Sequence, residues 1–141
     1  MNPMEINLCL RRGAVLYAVA RHVASPKPHY LIVLNNRPYE RAGIVVSIVT
    51  SKIENRIKRA ARLGSPETTI VMLPSGCHPC LSKNSAVDCN EVAAIPFSDL
   101  RSFTSGNFKS PDLSEEFLQR IIQGVLDSPK VQPHIKKILT G

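Results

Sequence analysis

An α+β domain dominated by β-strand follows from three features of the sequence. Apolar runs of strand length recur at short spacings between residues 13 and 95, prolines and glycines fill the gaps, and helical periodicity takes over in the tail. Strands so closely spaced suggest a small barrel or a sandwich. A chain of 141 residues has the size of one domain and can bury one core without metals or disulfides. We therefore expect a single domain over 1–141, with strands at about 12–100 and a helical segment at about 112–139.

The first strand is residues 13–19, apolar almost throughout and entered through the turn Arg11-Arg12-Gly13. Pro26 and Pro28 make the next stretch a loop, because each removes a backbone donor. Tyr30-Leu31-Ile32-Val33-Leu34 and residues 43–50 are β-branched runs separated by the turn Asn35-Asn36-Arg37-Pro38. Residues 51–63 stay undecided, although Ile53, Ile57 and Ala60/Ala61 suit a helical face. Residues 68–73 form another strand, stopped by Pro74-Ser75-Gly76, and residues 85–95 follow with partial alternation. In the tail, Asp112 and Glu115 have the form of a capping box, and Leu113, Phe117, Leu118, Ile121, Ile122 and Val125 repeat at helical spacing. Ser128-Pro129 ends that helix, and a shorter segment follows in which Ile135, Ile138 and Leu139 pack.

Lysines and arginines number 18 against 11 acidic residues, a formal net charge of +7 that favours polyanions, an acidic protein partner or plain solubility. No apolar run approaches the ~20 residues that span a bilayer. The first ten residues lack a basic start and a long apolar stretch, so the expectation is a soluble cytoplasmic protein, with Cys9, Cys77, Cys80 and Cys89 as free thiols. Cys77-His78-Pro79-Cys80 has the spacing of half a zinc or redox site, but four ligands are not at hand and no strand-to-helix setting surrounds it. A turn between strands fits that segment better, and no metal or cofactor is expected.

Residues 13–19, then His29-Tyr30-Leu31-Ile32-Val33-Leu34-Asn35, then residues 43–51 look like three successive signature segments of the PemK/MazF toxin-type endoribonucleases. Val87-Asp88-Cys89-Asn90-Glu91-Val92 resembles a later strand of that family, and the terminal helix fits as well. The resemblance spans roughly residues 12–126 by element order. It implies an SH3-like barrel that forms a two-fold homodimer, cuts single-stranded RNA without metal and is held inactive by an acidic antitoxin. The slot of the family's catalytic arginine falls at His29, with Lys27 two positions before it. Thr50 matches the family's threonine at the end of the third strand, and Ser51 stands beside it. The family's acidic position aligns with Asn90, while Asp88 lies two residues earlier and shares its face if the strand is regular.

Cleaving RNA without metal requires two proton carriers and a cation for the phosphorane-like centre. A histidine side chain can give and take a proton, so His29 suits proton transfer, Lys27 offers a point charge to the phosphate, and the Thr50 and Ser51 hydroxyls can hold a phosphate oxygen. Asp88 is the candidate replacement carboxylate, completing the catalytic set His29, Thr50 and Asp88. Lys52, Arg56, Lys58, Arg59 and Arg62 concentrate positive charge in one stretch, with only Glu54 opposing it, and a basic loop there would track the RNA backbone. Each feature has a plain alternative: a histidine that starts a strand, a solvated lysine, a charged helix face. Tyr17, Tyr30 and Tyr39 are the available stacking platforms for bases. The sequence thus points to a toxin-type endoribonuclease with an altered active site. The alternative is a catalytically inactive module on the same barrel that binds nucleic acid or protein.

Overall fold

A computed structural model describes residues 10–19, 26–36, 43–100 and 102–140. Cys9, Tyr39 and most of the loop expected before Pro26 lie outside the described residues, as do Arg37 and Pro38. The elements run β1 (Val15–Ala18), β2 (His29–Val33), β3 (Gly43–Thr50), α1 (Ile53–Arg62), β4 (Ile70–Leu73), β5 (Ser85–Pro96), α2 (Phe97–Leu100), β6 (Phe108–Lys109), α3 (Glu115–Asp127) and α4 (Pro133–Thr140). The strands form one sheet in the order β4-β5-β3-β2-β1-β6, and every pairing is antiparallel. The class is α+β and mainly β, as the strand spacing indicates. The sheet is barrel-like but not closed, since its end strands β4 and β6 are not neighbours in the hydrogen-bonded order.

β2 and β3 read as continuous apolar runs because both of their faces are buried. Ile32, Leu34, Val45 and Val49 join one core, which also takes Leu118, Ile121 and Val125 from α3 and Ile135 from α4. Leu31, Val33, Ile44 and Val46 point the other way, into a second core with Leu16, Ala93, Ile95 and Leu100. Successive strand side chains face opposite sides, so a strand between two cores must be apolar at every step. Each such side chain contributes about 1.5–3 kcal/mol when fully buried. Gly43 begins β3 where a Cβ would stand 2.5 Å from the Ile95 carbonyl oxygen, so a side chain there would break the β3–β5 pairing.

β5 serves both cores, and a bulge makes that possible. Val87 and Cys89 face the helices, whereas Ala93 and Ile95 face the second core. All four are odd-numbered and would share one face of a regular strand. Between the pairs Ser47↔Val92 and Val49↔Val87, β3 advances two residues while β5 advances five, and the excess on β5 reverses its facing. The strand is therefore not regular at Asp88 and position 90, the condition on which the expectation of a shared face rests. Asp88 and Asn90 sit inside the bulge and bond to each other: the Asp88 carboxylate accepts from Asn90 N at 3.0 Å and Asn90 Nδ2 at 2.9 Å.

Residues left open at 51–63 resolve as the helix α1. Its inward residues are few: Ala60 is buried, but Ile57 is 48% exposed, so the apolar spacing overstated its packing. What holds α1 to the sheet is ionic, with Arg56 and Arg59 reaching the β5 bulge. The strand expected over 68–73 begins one turn later, because Glu67–Thr69 form a 3-10 turn closed by the Thr69 hydroxyl donating to the Pro66 carbonyl at 2.6 Å.

The capping box expected from Asp112 and Glu115 does not form. Ser114 is the N-cap of α3 and makes no side-chain cap bond. Two arginines from the turn before β1 take the acids instead: Arg11 Nε donates to Asp112 at 2.6 Å and Arg12 Nη1 to Glu115 at 2.7 Å. Arg12, followed by Gln119, holds the Glu115 carboxyl below its ordinary range. Each carboxylate thus has a guanidinium from a distant segment, and that pairing stands in place of the local cap. Farther along, α3 lies very close to the sheet at Gly124, where a Cβ would be 2.7 Å from both Cys89 Sγ and the Thr68 carbonyl oxygen.

Candidate functional site

One groove gathers much of the chemistry singled out in the sequence. His29 opens β2, where it pairs with Ala18 of β1, and Thr50 closes β3. The β2–β3 register runs Leu31↔Ile48, Ile32↔Ser47 and Val33↔Val46, and two further steps set His29 across from Thr50. Both line a cavity of about 470 Å³ together with Tyr17, Tyr30, Ser51, Lys52, Cys80 and Lys83. The chain turns sharply after β3 because Lys52 N donates to the Thr50 hydroxyl at 3.1 Å. A hydroxyl that accepts from the backbone still has its own proton to donate outward.

Aromatic surface completes one wall. The Tyr17 and Tyr30 rings lie 4.7 Å apart between centroids with their planes tilted by 47°, and Tyr17 remains 39% exposed. Burial raises the Tyr30 phenol above its ordinary value, and the neighbouring Cys80 and Tyr17 add to the rise. Tyr30 therefore stays a neutral hydrogen-bonding group throughout the physiological range.

Asp88 and several of the basic candidates are elsewhere. Asp88 is buried in the β5 bulge and does not line the groove. Its second oxygen faces Arg56 Nη1 at 3.4 Å, and the same guanidinium meets Glu91 at 2.8 Å. Arg59 also binds Glu91, at 2.6 Å. Asn90, at the family's acidic position, donates to Thr69 Oγ1 at 3.0 Å and accepts from the Ser128 hydroxyl at 2.5 Å, which ties the bulge to the end of α3. Two of the five cations in 52–62 thus anchor α1, while Lys52 lines the groove and Lys58 and Arg62 are exposed farther along the helix. Lys27 is exposed two residues before His29, and only Pro28 and His29 of that segment line the groove.

The structure adds Lys83, which the sequence did not single out, and Cys80, whose segment reads as a plain turn between strands. Both come from the segment between β4 and β5, brought alongside His29 by the pairing of β5 with β3. That segment is a turn, as expected from its prolines and glycine, and His78 is its keystone. The buried imidazole accepts from Cys80 N at Nδ1, 3.1 Å, so its proton is on Nε2, which meets the Pro111 carbonyl at 2.6 Å. Both ring nitrogens are thereby engaged, and among the described residues no three histidines, cysteines or acids gather as a metal site.

A curled antiparallel sheet backed by a C-terminal helix is the fold of the MazF/PemK-type toxins. Two solved structures show the likeness. An endoribonuclease in complex with its cognate antitoxin from Mycobacterial species shares 11% identity over 82% of this chain and 90% of its own, with a TM-score of 0.50. The Mycobacterium tuberculosis toxin MazF-mt6 shares 11% identity over 84% of this chain and 98% of its own, with a TM-score of 0.52. No protein-family model matches the sequence, and no curated protein matches it. Among the described residues no helix is long and apolar enough to cross a membrane.

Proposed function

We propose that this chain is a toxin-type endoribonuclease that cuts single-stranded RNA in the groove between His29 and Thr50 without a metal ion. The observation that carries the proposal is the meeting of His29, Thr50, Ser51, Lys52 and Lys83 in one groove on a toxin-type fold. In this mechanism the 2′-hydroxyl gives its proton to His29 and attacks the adjacent phosphorus, and the 5′-oxygen leaves with a proton from the solvent that reaches the open groove. The Thr50 hydroxyl and the Lys52 and Lys83 ammonium groups hold the phosphate oxygens as charge builds there. A lysine supplies charge but not the planar fork of an arginine, which fits a site built without the family's arginine. Tyr17 offers an exposed ring on which one base can stack.

The outer cations Lys58 and Arg62 extend the positive field away from the groove along α1. A net charge of +7 also suits an acidic antitoxin as the inhibitory partner, and a cytoplasmic homodimer completes the proposal. Asp88 has a framework role in this scheme, holding the bulge and α1 rather than moving protons.

The test is incubation of the purified protein with end-labelled single-stranded RNA in EDTA. Wild type should cleave, and His29→Ala should slow cleavage by about 10²–10⁴-fold with RNA affinity nearly unchanged. Cleavage by His29→Ala at the full rate would overturn the mechanism. RNA binding with no cleavage by wild type would make the barrel a binding module instead.

A further inference from the structure

The pair Cys77 and Cys80 has no part in the scheme above, yet Cys80 forms part of the groove wall. Three bonds shape the turn that carries them. Gly76 N donates to the Leu81 carbonyl at 2.9 Å, Cys77 N to the Pro74 carbonyl at 3.0 Å, and Leu81 N to the His78 carbonyl at 2.9 Å. Cys77 and Cys80 therefore lie three residues apart inside the loop that the Gly76–Leu81 bond closes. A chain reversal this tight keeps residues three apart within roughly 7 Å between Cα atoms, close to the upper limit of the span a disulfide bridges. Gly76 adopts a left-handed φ of 84°, and His78 pins the loop through Cys80 N and Pro111 O, so the approach is built into the backbone.

From this geometry we propose that Cys77 and Cys80 are an oxidation site, a dithiol that closes to a disulfide with a peroxide and thereby reshapes the RNA groove. The effect on the groove rests on the function proposed above, whereas the closure itself does not. In the first step the Cys80 sulfur, at the groove wall, attacks hydrogen peroxide: an S–O bond forms, the O–O bond breaks and water leaves, giving a sulfenic acid. Cys77 then attacks that sulfur, the S–S bond forms, the S–O bond breaks and a second water leaves. Two thiols and one peroxide become one disulfide and two waters, so the two electrons lost by sulfur reduce the peroxide. Cys77 is half-buried against the helix-side core and its thiol is raised by burial, consistent with Cys80 reacting first and Cys77 resolving it.

The consequence runs through Tyr30. In the reduced protein Cys80 and Tyr30 share the groove wall, and the Tyr30 ring lies against Tyr17. Swinging Cys80 toward Cys77 takes its side chain out of the wall beside Tyr30 and His29 and so changes the shape of the groove. A disulfide that forms and reopens in this way is the kind found in reducing compartments, where thiols serve as sensors rather than staples.

The sequence makes the test direct, because trypsin places both thiols in one peptide, residues 63–83, with Cys89 and Cys9 in others. The full-length protein is treated with a small excess of hydrogen peroxide, alkylated, digested and weighed. We expect peptide 63–83 to lose two hydrogens and resist alkylation while Cys89 stays free, and Cys77→Ser to give a dimedone-trapped sulfenic acid on Cys80. Oxidised wild type should bind single-stranded RNA about tenfold more weakly than reduced, the loss of one stacked base, and Cys80→Ser should show no such change. Alkylation of both thiols after peroxide would overturn the site. A disulfide that leaves RNA affinity unchanged would overturn its action on the groove. If even the reduced protein binds no RNA, the function proposed above fails while the peptide mass still decides the disulfide.

Discussion

Asp88 separates a carboxylate that does chemistry from one that holds a frame. Its side chain is 7% exposed, and its two oxygens accept from Asn90 N, Asn90 Nδ2 and Arg56 Nη1. Asp88→Ala removes two short charge-assisted bonds, from Asn90 N and Asn90 Nδ2, together with the longer 3.4 Å contact to Arg56, which keeps Glu91 at 2.8 Å. At about 1.5–3 kcal/mol for each bond to a charged group, the loss comes to roughly 3–5 kcal/mol. Asp88→Asn keeps an acceptor oxygen for Asn90 N and loses mainly the attraction to Arg56, which is partly exposed, so about 1–2 kcal/mol is expected. Urea unfolding followed by circular dichroism measures both. With a slope of about 2 kcal/mol/M, Asp88→Ala should lower the midpoint by roughly 2 M and Asp88→Asn by less than about 1 M. Cleavage of RNA by folded Asp88→Asn should stay within a few-fold of wild type. An unchanged urea midpoint together with a loss of cleavage near a hundredfold or more would refute the framework role and put Asp88 back into the catalytic set.

The other expectations follow from the same contacts. Gly124→Ala should destabilise by about 1–3 kcal/mol despite the better helix propensity of alanine, because the new methyl meets the Thr68 carbonyl, which cannot rotate away; an equal or higher melting temperature would show that the helix can shift. Ser47→Ala should be neutral or stabilise by up to about 1 kcal/mol, since the buried Ser47 hydroxyl has no partner among the described residues, and a clear loss in urea would reveal one. Lys52, Lys58 and Arg62 changed together to Gln should flatten the salt dependence of RNA binding by about two units of slope, measured by fluorescence anisotropy across a salt series. Arg56→Gln should show itself chiefly as lost stability, because Arg56 is committed to Asp88 and Glu91. Light scattering across a micromolar concentration series should give a dimer, and a monomer throughout would remove a two-subunit groove from the proposal.

Much of the fold was legible because local chemistry and tertiary packing agree. The runs Leu31–Leu34 and Ile44–Val46 are apolar at every step, and their burial on both faces accounts for it. The α3 stripe of Leu118, Ile121 and Val125 likewise faces the core that its spacing implies. The turn at 74–81 was legible from its prolines and glycine, whereas His29 and Thr50 stand out only through the resemblance of their segments to the toxin family. Where local and distant partners compete, the sequence order could not choose. Asp112 and Glu115 fit a capping box, but Arg11 and Arg12 lie about a hundred residues away in sequence and adjacent in space, and the charged pairings prevail.

Composition and periodicity by themselves determined the α+β class, the strand-rich body, the terminal helices and the positive charge, because each depends on residue type and near neighbours. The three-dimensional pairing of β5 with β3 decided the rest. Its bulge turned Asp88 and Asn90 into a buried network, took Arg56 and Arg59 out of the free positive surface, and carried Lys83 and Cys80 to the groove beside His29. Such placements depend on which distant segments share a register, and an inserted step in one strand changes the facing of every residue beyond it.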